Sequence, residues 1–419
     1  MLRISTHWIV LISLAAGILA GILLASIQGG SAFAIDWIKP LGNIYLNLLK
    51  LLAVPLIITS LIKGIADLKG MTNLSKIGKK TLQWYIITTL IAVTLGLTIA
   101  NIIKPGKFIS PETRTMLMSE YTKDLHLAEN KPRSNIAIMH YLESMVPENI
   151  FNAVSNNANM LQVIIFTLLF SIGLLMAPRD KTTVIRGFFE DVNEVIMQMI
   201  RIIMKATPVG VFSLMVSLVT EAPAPDIFGA LAIYMLTVLL GLCILLYVIY
   251  PLLVKFIGKS SPMNFLKGMM PAQLVAFTTS SAAATLPVTM KCIKENLHVN
   301  EEVANFVVPV GATINMDGTT LYQAIAAIFI AQATGIDLSF SEQLTVIITA
   351  SLAGFGSAAV PGAGILMLMI VLQSIHIDPQ AIALLFAVDR PLDMCRTVVN
   401  VSGDGMIATV INRKMQQEA

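Results

Sequence analysis

Charge is scarce in this 419-residue chain: Asp, Glu, Lys and Arg make up 13% of it, against 56% hydrophobic residues and a mean hydropathy of +0.78. A water-soluble protein of this length cannot cover its surface with so few charges, whereas helices that face lipid need none. Excess charge of one sign is also missing. The net charge of +3 gives no basis for nucleic-acid binding. Cysteine is nearly absent, and Cys243, Cys292 and Cys395 lie in or beside apolar segments without paired spacing. Neither a disulfide framework nor a thiolate metal site follows from them. The histidines (His7, His126, His140, His298 and His376) are scattered and mostly in loops, which leaves no cluster for a transition metal.

What the chain has instead is long apolar runs. Stretches at about 8–28, 41–62, 81–103, 160–177, 196–219 and 227–254 are each long enough to cross a bilayer as a helix. Trp8 to Ile27 imitates a signal peptide, with Ala32-Phe33-Ala34 resembling a cleavage site. Its length of 20 residues and the apolar segments that follow favour a retained span. The polar stretch 104–159 reads as an exposed loop with short helices, and Lys104-Pro105-Gly106 ends the helix before it. Basic residues fix the orientation. Lys63, Lys69, Lys76, Lys79 and Lys80 follow span two, Arg179, Lys181 and Arg186 follow span four, and Lys255, Lys259 and Lys267 follow span six. The connections 220–226 and 332–343 carry no Lys or Arg, so the alternation predicts a cytoplasmic N-terminus. Span five has a polar stripe of Arg186, Glu190, Glu194, Gln198, Arg201 and Lys205. That stripe is either a conduit for charge or, more simply, a cytoplasmic helix end stabilised by i,i+4 pairs.

Beyond residue 260 the apolar pieces shorten. Thr278-Thr279-Ser280-Ser281-Ala282-Ala283-Ala284-Thr285-Leu286-Pro287 interrupts one, and 354–364 (Gly-Phe-Gly-Ser-Ala-Ala-Val-Pro-Gly-Ala-Gly) interrupts another. Each reads as the tip of a re-entrant hairpin, and each is followed by a helix with intramembrane polar groups. The loop charges place the two tips on opposite sides, as in an inverted repeat. Interrupted segments at matching positions point to a transporter's binding site.

The last helix carries the sharpest signal. At about 100° per residue, Asp389, Asp393, Arg396, Asn400 and Asp404 fall on one narrow stripe, with Thr397 at its edge. A charge at mid-bilayer costs several kcal/mol unless it is paired or faces a wet cavity, so these groups need partners or ligands. Arg396 can clamp a carboxylate bidentately, and Asp393, one turn away, can accept an ammonium. That combination suits an α-amino acid with a second carboxylate. Asn315-Met316-Asp317-Gly318 reads as an unwound stretch, since Gly318 weakens the helix and the Asn and Asp side chains compete for its backbone. Free carbonyls with carboxylate, amide and hydroxyl oxygens make a hard-cation cage, which fits sodium better than zinc. Tyr85, Thr88 and Thr89 on span three add oxygens at helical spacing; by themselves they read as packing.

The serine-rich tip, Asn315-Met316-Asp317-Gly318-Thr319, Val360-Pro361-Gly362-Ala363-Gly364 and Asp393-x-x-Arg396-Thr397-x-x-Asn400-Val401-x-Gly403-Asp404 together resemble the glutamate/aspartate transporter family. These are dicarboxylate/amino acid:cation symporters, which include the excitatory amino acid transporters. The resemblance implies an all-α polytopic membrane protein with eight transmembrane helices, two re-entrant hairpins and inverted repeats. It implies a homotrimer, surrounded by lipid in the cell membrane, with both termini cytoplasmic. A scaffold formed by 1–71 and 107–223 would hold a transport part, 72–106 and 224–419, that moves as an elevator. Substrate would be bound by Arg396, Asp393, Thr397, Asn400 and Thr319, with backbone at Ala282, Val360 and Gly364. Sodium, the coupling ion and not a cofactor, would use three sets of residues. The first is Gly311, Asn315, Asn400 and Asp404; the second is Tyr85, Thr88, Thr89, Asn315 and Asp317; the third is Thr313 with carbonyls around Gly354, Phe355 and Ser357. Asp393 disfavours the C4-dicarboxylate branch and Arg396 the neutral amino acid branches. Gln323 stands where proton-coupled animal relatives carry a glutamate. Relatives also place an arginine at the position of Ser280 or of Met394; this chain has neither and has Arg390 instead.

Rival readings are a proton-coupled symporter for the same substrates, an anion-conducting channel, and an intramembrane aspartyl protease built on Asp404 and another buried acid. The protease needs two facing acids without cationic partners, and Arg396 in the middle of the stripe argues against it.

Overall fold

A computed structural model of the protein describes residues 6–66, 75–115, 146–155, 159–221, 225–355, 357 and 361–417. Every regular element among the described residues is helical. The sequence supplies the reason: apolar runs without a period-two pattern satisfy their backbone internally only as helices in lipid.

Helix α1 (Thr6–Ser26) ends before Gly29, whose φ of 80° redirects the chain into α2 (Lys39–Ala66) through a short helical stretch. α3 spans Ser75–Ile103, and Lys104 with a φ of 54° stops it ahead of Pro105. α4 is Met160–Met176. The fifth apolar run, expected as one span over 196–219, is two helices instead: α5 (Arg179–Lys205) and α6 (Thr207–Glu221), bent by 52°. Pro208 accounts for the break, because it lacks an N–H and its ring clashes with the carbonyl four residues back. α1 crosses α6 closely at Gly17 and Gly21, where a Cβ would stand 2.7 Å from Phe212 O and 2.7 Å from Val219 Cβ. Small residues four apart are what such a crossing requires.

The polar stripe on α5 faces outward, and its members pair locally. Gln198 Nε2 donates to Glu194 Oε1 at 3.0 Å and Arg186 Nε to Thr182 Oγ1 at 3.1 Å, while the Arg186 guanidinium also reaches the Leu174 carbonyl at the end of α4. These contacts match a stabilised helix end rather than a conduit.

α7 (Pro225–Ile244) continues through a π-helical turn, Leu245–Ile249, into α8 (Tyr250–Phe256). α9 (Pro262–Thr279) and α10 (Ala282–Lys291) fold back on each other. Only Ser280 and Ser281 form the turn, so the interruption is far shorter than the ten-residue stretch 278–287 suggested. Ser280 adopts a φ of 51°, and the Ser281 hydroxyl caps α10 by accepting from Ala284 N at 3.2 Å. α11 (Glu301–Ile314) and α12 (Asp317–Ala333) are separated by Asn315 and Met316 alone. The unwound stretch is therefore two residues, and Gly318 lies inside a helix. α13 (Phe340–Phe355) and α14 (Ala363–Ser374) form the second hairpin; residues 356 and 358–360 at its tip, Val360 among them, lie outside the described residues. α15 runs from Phe386 to Gln416.

The helices pack mainly as two sets, α1, α2, α4, α5 and α6 against one another and α3 and α7–α15 against one another, with α11, α13, α14 and α15 also touching the first set. α12 sits at the centre of the second set, every residue from Asp317 to Ala333 being buried. Among the described residues, 30–63, 77–108 and 226–256 are long and apolar enough to cross a membrane, and the bent pair α5–α6 makes a fourth. Shorter apolar helices cover 12–26, 162–176, 340–355 and 363–374.

Candidate functional site

The polar face of α15 points into the second set of helices, against α12, α11, the first hairpin and the tip of the second. Arg396 is 0% exposed, its guanidinium lying 3.8 Å from the centre of the Tyr322 ring on α12. Two carboxylates flank it. Arg396 Nη2 donates to Asp393 Oδ1 at 2.8 Å, and Nη1 stands 3.1 Å from Asp389 Oδ1. The second contact is an ion pair by distance without hydrogen-bond geometry, which leaves Nη1 and Nε with no acceptor. Asp393 Oδ2 meanwhile accepts from Arg390 Nη1 at 3.2 Å and from the backbone N–H of Gly362, in the second hairpin, at 3.1 Å.

Gly364 closes the other side. A Cβ there would lie 3.3 Å from Arg396 Cζ and 3.2 Å from Thr319 Cγ2, tighter than ordinary contact, so a side chain would press the hairpin away from the arginine by a few tenths of an ångström. Asn400 Nδ2 donates to Thr319 Oγ1 at 3.2 Å, and Asn400 Oδ1 accepts the Gly318 N–H at 2.8 Å. Thr397 directs its hydroxyl to the Asp393 carbonyl at 2.8 Å. Asp393, Arg396, Asn400, Thr319 and Gly364 thus converge, with Thr397 one turn along. Ala282 is buried at the start of α10, but no hydrogen bond among the described residues ties it to this cluster.

A second cluster lies deeper along the same helix. Asn315 Nδ2 donates to Asp404 Oδ1 at 3.0 Å, while Asn315 Oδ1 is buried with no partner. A Cβ on Gly311 would fall 2.2 Å from Asp404 Oδ1 and 2.9 Å from Tyr85 Oη, so the absence of a side chain at 311 makes room for the carboxylate. Asp317 Oδ1 accepts from Thr89 Oγ1 at 3.0 Å and Thr88 Oγ1 at 3.4 Å; its Oδ2 accepts from Tyr250 Oη at 2.9 Å. Tyr85 gives its hydroxyl to the Val307 carbonyl at 2.6 Å instead of an acid. The donors here are carboxylate, amide and hydroxyl oxygens, with no group of three His, Cys, Asp or Glu among the described residues. Oxygen donors of this kind suit a hard cation.

The third group of expected sodium ligands does not assemble visibly. Thr313 donates to the Val310 carbonyl at 3.0 Å within its own helix. Gly354, Phe355 and Ser357 lie at the end of α13, where Ser357 N donates to Gly354 O at 3.2 Å. A Cβ on Gly354 would lie 2.3 Å from Thr320 Cγ2, which brings this tip onto α12 next to Asp317.

The sodium:dicarboxylate symporter family model matches residues 7–414. The chain belongs to this family. It is 35% identical over 459 residues to excitatory amino acid transporter 3 of Homo sapiens, covering 99% of this chain and 87% of that one. It is also 35% identical over 432 residues to an excitatory amino acid transporter of Caenorhabditis elegans, covering 95% and 85% respectively. Against excitatory amino acid transporter 1 of Ambystoma tigrinum the identity is 34% over 421 residues, covering 90% and 77%. Membership makes this an integral membrane protein of a transporter family, and the protease reading has no place in it.

Four contributors escaped the sequence reading as site residues. Asp389 stood on the stripe but was not singled out as the second partner of Arg396. Tyr322 lies three residues after Thr319 on the same face of α12, a spacing that points to it in retrospect. Gly362 sits in a tip whose individual N–H groups cannot be ranked from sequence. Tyr250 gave no signal, because the π-helical turn ahead of it decides where its side chain points.

Proposed function

We propose that the protein is a secondary active symporter that takes up an acidic amino acid, L-aspartate or L-glutamate, together with sodium ions. The observation that carries this reading is Arg396, fully buried, held between two carboxylates, with Nε and Nη1 lacking hydrogen-bond acceptors. A guanidinium donates strong charge-assisted hydrogen bonds to a carboxylate, bidentately through Nε with Nη2 or through Nη1 with Nη2. A substrate side-chain carboxylate takes one of the free donors, Nε or Nη1, together with Nη2 as it leaves Asp393, and Asp393 turns one oxygen to the substrate ammonium. Thr397, Asn400 and Thr319 supply hydroxyl and amide groups around it, with Gly364, Ala282 and Val360 lending backbone from the hairpins. Relatives named excitatory amino acid transporters support the acidic amino acid as cargo.

Charge balance explains why cations must travel with it. Asp389, Arg390, Asp393 and Arg396 cancel, Asp317 and Asp404 contribute two negative charges, and an acidic amino acid adds a third. Uncompensated charge at this depth costs several kcal/mol per group, so the loaded core is tolerable only with cations bound. Sodium is carried by Gly311, Asn315, Asn400 and Asp404, by Thr88, Thr89, Asn315 and Asp317 with Tyr85 nearby, and by Thr313 with the carbonyls at Gly354, Phe355 and Ser357. The packing of α1, α2, α4, α5 and α6 mostly among themselves supports a fixed scaffold, past which the remaining helices slide as an elevator. We assign a homotrimer of eight-span protomers with two re-entrant hairpins to the cell membrane, both termini cytoplasmic.

The alternative is a proton-coupled symporter of glutamate and aspartate, or of C4-dicarboxylates. Asp393 beside Arg396 disfavours a substrate without an ammonium. Uptake of labelled aspartate and glutamate into liposomes, driven by a sodium or a proton gradient in turn, separates these readings. Uptake that follows only the proton gradient would rule the sodium reading out.

A further inference from the structure

The sodium reading leaves one buried group at the cation cluster unused. We infer that Tyr250 is a positioning residue for cation binding: its hydroxyl fixes the Asp317 carboxylate and links it to the Asn315–Asp404 pair. The inference rests on the sodium-coupled reading above.

Geometry brings the ring there. The Tyr250 N–H donates to Leu245 O, five residues back, which is the bond of the π-helical turn Leu245–Ile249. A π-turn inserts one residue, which turns everything beyond it by about 100° relative to an uninterrupted α-helix. Pro251, next in sequence, lacks an N–H, so the helix gives up an i→i−4 bond at this point anyway. Without the turn, Tyr250 would face elsewhere; with it, the ring enters the core and is fully buried.

Once there, the hydroxyl has a specific task. It donates to Asp317 Oδ2 at 2.9 Å, while Thr88 and Thr89 hold Oδ1, so both oxygens of the acid are fixed from different helices. It also borders the second acid. A Cβ on Gly403 would lie 2.8 Å from Tyr250 Oη and 2.9 Å from Asn315 Nδ2, whose amide donates to Asp404 Oδ1 at 3.0 Å. The lack of a side chain at 403 lets the tyrosine and the asparagine approach between the two carboxylates. A hydrogen bond to an ionised acid is stronger than a neutral one, and it holds the oxygen where a cation must find it.

The test uses purified full-length protein and its liposome uptake. In Tyr250→Phe, the sodium concentration for half-maximal aspartate uptake should rise about ten-fold, the loss expected from one charge-assisted hydrogen bond. The aspartate KM at saturating sodium should stay unchanged, while the melting temperature in choline should fall modestly, because Asp317 Oδ2 loses its donor there as well. Sodium-induced thermal stabilisation should need correspondingly more sodium. In an Asp317→Asn background the Tyr250→Phe step should shift this stabilisation no further, because the acid it acts through is gone. Tyr234→Phe, which removes a buried hydroxyl without a hydrogen-bond partner, serves as control and should leave sodium dependence as it was. Unchanged sodium dependence in Tyr250→Phe, or a lower melting temperature as its only effect, overturns the inference while the sodium-coupled reading stands. Wild-type uptake indifferent to sodium removes that reading and this role with it.

Discussion

Replacing Arg396 by cysteine removes the one buried cation that two acids and, on our reading, the substrate all share. Asp389 Oδ1 loses a guanidinium nitrogen at 3.1 Å and Asp393 Oδ1 loses one at 2.8 Å, with the arginine itself fully buried. Arg390 still reaches Asp393 at 3.2 Å, whereas the ion pair of Asp389 with Arg396 is lost. The vacated pocket is therefore more negative and has no donor for a substrate carboxylate. Truncating one member of a buried charge pair costs about 2–5 kcal/mol, which corresponds to a roughly 30- to 5,000-fold loss of affinity. The assay is aspartate binding by calorimetry at saturating sodium, paired with uptake of small neutral amino acids such as serine and cysteine. Acidic substrates should be lost, and neutral ones, which bring no second carboxylate, should be admitted. An aspartate affinity unchanged in Arg396→Cys would falsify the assignment of the arginine.

Three further outcomes follow from other parts of the site. Asp404→Asn should raise the sodium concentration needed for half-maximal uptake and weaken aspartate binding at fixed sodium, because coupling between two ligands is reciprocal; equal sodium dependence in mutant and wild type contradicts this. Gly311→Ala places a methyl group 2.2 Å from Asp404 Oδ1, so sodium-dependent thermal stabilisation should be largely lost, and full retention would show that the carboxylate does not need that space. Arg390→Ala should impair transport by freeing Asp393 Oδ2 from its 3.2 Å partner, and adding Met394→Arg should restore it, since the two positions neighbour each other on the helix. Normal transport by Arg390→Ala alone would remove any functional role for this arginine.

The all-helical class and the polar face of α15 were legible in the sequence because both rest on periodicity: apolar length for the spans, a 100° step for the stripe. The location of breaks was less legible. Gly318 suggested a four-residue unwound stretch, yet two residues suffice, and α12 resumes at Asp317 with Asn400 accepting the Gly318 N–H. A ten-residue stretch rich in small and hydroxylic residues suggests a broad first tip, yet Ser280 in a left-handed conformation makes the turn with one neighbour. In span five the apolar run is continuous across Pro208, so apolar length alone does not reveal the bend there. Contacts between distant helices lay beyond pattern reading altogether. That Tyr85 bonds the Val307 carbonyl while Tyr250 bonds Asp317 depends on a π-turn and on helix crossings that no local spacing encodes.

The central claim is that sodium and an acidic amino acid bind one buried site interdependently. Its most direct test is the dissociation constant of aspartate for the purified wild-type protein, measured by calorimetry across a sodium series at constant ionic strength with choline as the replacement ion. The account predicts that affinity climbs steeply with sodium and falls away in choline, since the loaded core cannot hold its negative charge alone. An aspartate affinity that stays constant across the series would contradict it.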